Sequence, residues 1–149
     1  MTRDFLAALS VATALVAPWA ALAQSMPVIE LGAGMYRIEA EVAATQDNRM
    51  LGLMHRKTMA PHKGMLFVFD GAGRHCMWMR NTLLPLAVAF IDDQGRIVNV
   101  EEMLPQTEDN HCAAKPVRYA LEMNAGWFKA RGFGAGSPIG GIDKAPPAH

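Results

Sequence analysis

The sequence predicts a mainly β domain, a compact antiparallel β-sandwich or barrel carrying two short helices. Three observations predict it. "MYRIEAEVA" alternates strictly, with Tyr36, Ile38, Ala40 and Val42 on one face and Arg37, Glu39 and Glu41 on the other, the pattern of a half-buried strand. "MLFVF" and "LAVAFID" are short continuous apolar runs bounded by turn residues, the pattern of fully buried strands. Strands do not alternate with long helices, which argues against a doubly wound parallel sheet.

The elements follow in order. Residues 1–23 have the three parts of a secretory signal peptide: Arg3, an apolar run from Leu6 to Ala20, and small residues at Ala21 and Ala23 before Gln24. Residues 24–34 read as a linker, 35–140 as a single β-rich domain and 141–149 as a disordered tail rich in proline. Within the domain, Thr45 caps a short helix from Gln46 to Leu53 whose apolar face is Met50, Leu51 and Met54. "DGAG" is a turn, and "RHCMWM" is a buried strand ended by "RNT". "LAVAFID", "DQG" and "RIVNVEEM" make a hairpin; "LPQTEDNHCAAKP" is loop; "VRYALEM" is a further strand. Asn124 caps the second helix, "AGWFKAR", which Gly132 closes.

Export places the mature chain in the periplasm or medium, with no membrane span after cleavage. Fourteen Lys and Arg balance fourteen Asp and Glu. Without a basic excess, nucleic acid is excluded as an expected partner. In an oxidising compartment the two cysteines, Cys76 and Cys112, are expected to form a disulfide worth about 3–4 kcal/mol in the loop-entropy account.

"MWMRNTLLPLAVAFID", flanked by "RMLGLMHR", "GMLFVF" and "ALEMNAGWFKARG", resembles the signature of the domain-of-unknown-function family 192 from about Met35 to Gly136. The resemblance implies a jelly-roll-like β-sandwich and no established activity. The chain departs from the family's pattern at Ala87 and at Ser137, where the family usually has aspartate. A site built on either aspartate would be impaired here.

The candidate chemistry is centred on Arg74 to Asp92. His75-Cys76 and His111-Cys112 have the donor types of a zinc site, but neighbours on a strand face opposite ways and cannot meet one ion. The metal alternative is a Cu(I) row, His75, Met77 and Met79, on one face of a regular strand. Methionine also fills cores, and Met50, Met54, Met65, Met103 and Met123 fall at positions that read as buried. The ligand-binding candidates are Trp78, Arg80, Asn81 and Thr82, with Glu122 and Asn124. Trp78 supplies a ring face, Arg80 meets an anion, and Asn81 and Thr82 meet polar atoms or close a turn. The function expected is non-catalytic binding of a small molecule or envelope protein without a cofactor. Cu(I) binding is the alternative and a small hydrolase the third reading.

Overall fold

The computed structural model describes residues 25–149, so the predicted signal peptide lies outside the described residues. The chain forms β1 (Val28–Ala33), β2 (Tyr36–Ala43), α1 (Gln46–Leu51), β3 (Lys63–Gly73), β4 (Cys76–Met77), β5 (Leu86–Ile91), β6 (Ile97–Met103), β7 (His111–Cys112), β8 (Val117–Asn124) and α2 (Trp127–Ala130). Six strands make one sheet in the order β1-β2-β3-β8-β5-β6, and β4 pairs with β7 in a separate ribbon. The fold is mainly β with two short helices, as expected. The sheet is open rather than closed into a barrel, and one of its pairs, β2 with β3, is parallel. The crossover through α1 imposes that direction, since a tight hairpin can join only antiparallel strands.

Both faces of the sheet are covered, which explains why β5 is apolar at every position and buried throughout. On one face Leu66, Val68, Ala87, Ala89 and Leu121 pack under Trp127 and Phe128 of α2 and under Ile139 and Ile142. On the other, Met65, Phe67, Val88, Phe90 and Ala120 pack under Leu53, Met79, Leu84 and Ala113, from the loops and the β4–β7 ribbon. A sandwich of layers results.

Several expectations need correction. The linker expected at 24–34 contains β1, whose Leu31 and Ala33 are buried; Gly34, at φ +55, turns the chain into β2. The tail expected to be disordered from 141 is docked. Gly32 and Gly140 exchange backbone hydrogen bonds of 3.0 and 2.8 Å, Ile142 is buried, and the His149 N–H reaches the Ala44 carbonyl at 2.9 Å. Gly141 permits this because a Cβ there would lie 2.6 Å from the Glu30 carbonyl oxygen. The turn expected at Asp70–Gly73 belongs to β3, which continues past an irregularity to pair Gly73 with Val117.

The strand expected over "RHCMWM" shrinks to two residues. β4 ends at Met77, and Cys76 is exposed rather than buried. Met79 then donates to the Thr107 carbonyl, and Thr82 to the Met79 carbonyl, so the chain turns away from any sheet. Cys112, expected in loop, lies in β7 directly opposite Cys76, and the two form a disulfide. Asn124 ends β8 and does not cap α2, whose N-cap is Gly126 in the left-handed conformation.

Candidate functional site

A concavity of about 520 Å³ opens where α1, the middle of β3 and the segment after β4 meet. Its walls are Met50, Leu51 and Met54 on one side and Met77, Trp78, Arg80 and Asn81 on the other, with Phe67 and Phe69 between. A second space of about 30 Å³ continues beneath it, lined by several of the same residues together with Thr82 and Glu122.

The local sequence explains the wall made by α1. Thr45 caps the helix as expected, its hydroxyl accepting the Asn48 N–H at 3.1 Å. The helix ends at Leu51 rather than Leu53, because Gly52 at φ +49 breaks it. Its apolar face was expected to be covered, yet Met50 is 67% and Leu51 50% exposed, and no residue of α1 is buried. Trp78 opposite is 45% exposed. Large apolar side chains left open around one groove mark a binding surface more often than a packing defect.

The turn at Arg80–Thr82 is held under backbone strain. The three non-glycine residues with positive φ among the described residues are His55 (φ 66), Asn81 (φ 52) and Gln106 (φ 58). All three meet here: His55 donates its N–H to the Asn81 carbonyl at 2.9 Å, and Gln106 donates to the Thr82 carbonyl at 3.0 Å. Strained backbone of this kind costs about 1–3 kcal/mol per residue and gathers at functional sites. The Thr82 hydroxyl donates to the Arg80 carbonyl at 3.1 Å, closing the turn.

Glu122 forms the floor. It sits on β8 between Met65 of β3 and Val88 of β5, and is 3% exposed. Burial pushes its carboxyl from the ordinary 4.5 up to about 8. No ion pair among the described residues reaches it. Near neutral pH this is a neutral acid with an O–H to donate, under an apolar groove.

Of the six candidates read from the sequence, Trp78, Arg80 and Asn81 line the groove, and Thr82 and Glu122 line the space beneath. Asn124 is elsewhere: its amide donates to the Met59 carbonyl at 2.9 Å and ties down the 52–62 crossover. The Cu(I) row does not form. His75 stacks on Phe69 with centroids 3.9 Å apart and sets Nε2 2.8 Å from the Gly71 carbonyl oxygen; Met77 borders the groove; Met79 is fully buried in the core. The row required a regular strand from 75 to 79, and β4 stops at Met77. Sequence reasoning missed Met50, Leu51, Met54, Phe67 and Phe69 as walls, since periodicity shows that a face is apolar and not whether it is covered.

The chain matches the DUF192 family, described as an uncharacterized ACR, over residues 28–141. The chain belongs to that family. Two crystal structures resemble this DUF192 chain. One, from Sinorhizobium meliloti and titled a "putative transcription regulator", is 37% identical, with 76% of this chain and 91% of that chain covered and a TM-score of 0.71. The other, a protein of unknown function from Novosphingobium aromaticivorans, is 25% identical, with 89% and 99% covered and a TM-score of 0.75. No curated protein matches. Ala87, one departure from the family pattern, is buried on the face under α2, opposite the groove. Ser137 accepts the Ile97 N–H beside β6. Neither position borders the groove.

Proposed function

We propose that this DUF192 domain is an exported, non-catalytic binding module. Its groove takes a small molecule, or a segment of an envelope protein, with an apolar or ring-bearing body and an anionic end. The observation that carries this reading is the open apolar wall of Met50, Leu51 and Trp78 facing a floor with one buried, unpaired acid. Trp78 offers its ring to the ligand body, and Arg80, whose guanidinium stands 5.5 Å from the Trp78 ring centroid, meets the anionic end. Arg80 is also 3.6 Å from Glu108 at the surface, an ion pair that an incoming anion replaces at little cost. Glu122 and Thr82 supply polar contacts below.

Export to the periplasm or medium rests on the signal-peptide pattern of residues 1–23, and no helix among the described residues is long and apolar enough to cross a membrane. The Sinorhizobium relative is called a transcription regulator, which points to DNA, but equal numbers of basic and acidic residues in this chain leave no cationic excess for a phosphate backbone.

An anilinonaphthalene sulfonate titration tests the reading, because that dye pairs a ring system with an anion. Saturable binding is expected, weakened about tenfold or more by Trp78→Ala and by Arg80→Ala. Replacement of Met35, 87% exposed and outside the groove, should leave it unchanged. Dye binding indifferent to both groove variants would refute the proposal.

A further inference from the structure

We infer that the small space beneath the groove is a site for a soft monovalent cation, Cu(I) or Ag(I), held by the thioethers of Met50, Met54 and Met77 beneath the Trp78 ring. The inference rests on the groove being an open binding site, as proposed above, and assigns an occupant to its deepest part.

Four observations carry it. The space is about 30 Å³, the size of one small ion or water, and those three methionines line both it and the groove above. Packing does not account for all three: Met50 is 67% exposed, whereas Met65, Met79, Met103 and Met123 are buried in the core. Thioethers are soft donors that select Cu(I), and unbranched side chains can converge on an ion with little backbone cost. Both cysteines are in the disulfide, so no thiolate competes for a soft ion.

One further lining group offers oxygen donors. Glu122 is a carboxyl buried to 3% exposure with no cation paired to it, and it lines the same space. The Trp78 ring lines the same space. Arg49 also borders the space, but its guanidinium is engaged with the Ala44 and Val68 carbonyls and with Asp70. A hard divalent ion is not favoured, since no group of three or more His, Cys, Asp or Glu among the described residues can hold one.

Titration of the disulfide-bonded protein with Ag(I), followed by calorimetry and native mass, tests the site. One Ag(I) per chain is expected, with affinity lowered about a hundredfold or more in Met50→Leu/Met54→Leu/Met77→Leu. Met79→Leu and His75→Ala should bind as the wild type does. Leucine keeps the wall apolar and near its original volume, so the triple variant should fold, with a urea-unfolding midpoint close to that of the wild type. No one-to-one complex, or a complex that survives the triple substitution or depends on His75 or Met79, overturns the metal site. Silver failing while the dye still binds refutes the metal site alone; a dye that ignores Trp78 and Arg80 refutes the groove reading instead.

Discussion

Glu122 is a residue whose role depends on its surroundings more than on its identity. Its carboxyl is raised by burial to about 8, so between about pH 4.5 and 8 the folded chain keeps a proton that the unfolded chain has lost. Stability should therefore fall as pH rises through that window, by up to about 1.4 kcal/mol per pH unit, and level off above it. Glu122→Gln cannot ionise, and its advantage over wild type in urea unfolding should grow from pH 5 to 8 and then stop growing. A pH-independent difference would mean that the carboxyl is solvated. Trp127 is the other decisive side chain. It is 4% exposed, stacks on Phe133 at 6.0 Å, meets Phe128 edge-on and lies under the Arg131 guanidinium at 4.5 Å. Trp127→Ala should lose about 3–5 kcal/mol; wild-type thermal unfolding of that variant would contradict the packing described. The sequence places Trp127 in the first turn of the second helix, where a large ring can pin that helix to the sheet. Glu122 looked like the polar member of an alternating strand, and only the cover on both faces of the sheet makes it a buried acid.

At the scale of elements, the two-residue strands β4 and β7 have too few hydrogen bonds to persist alone. The Cys76–Cys112 disulfide joins them across the ribbon and so anchors the segment that carries Met77, Trp78 and Arg80. Replacing either cysteine with serine should cost about 2–5 kcal/mol and weaken dye binding in the groove. Thiol titration of the denatured, unreduced protein should find no free thiols; two would show that the ribbon is not cross-linked. Helix α1 makes the opposite wall with six residues and no buried side chain, so its position depends on its cap and on Arg49, which bonds the Ala44 and Val68 carbonyls at 2.6 and 3.0 Å. The pairing of the two cysteines was legible from their number and the expected compartment. The shortness of β4 was not, because "RHCMWM" has strand-forming residues and loses its strand to the turn at Asn81.

For the whole molecule, the groove exists because the chain leaves the large sheet after β3 and returns at β5, two positions away, leaving β8 to fill the gap. That excursion carries the ribbon and the Arg80–Thr82 turn over one face of the sheet, while α2 and the C-terminal segment close the other. The sequence by itself determined the mainly β class, the buried strands, the hairpin of β5 and β6, the cysteine pair and the family, and five of its six candidate residues lie at the groove and its floor. These follow from local periodicity, turn residues and motif order, which are written in neighbouring positions. Tertiary structure alone decided that β1 and the tail dock, that Met50 and Leu51 stay open, that His75, Met77 and Met79 part company, and that Asn124 serves the crossover. Each of those outcomes depends on what a distant segment covers or leaves uncovered, and an apolar pattern specifies a face to be buried without specifying the partner that buries it.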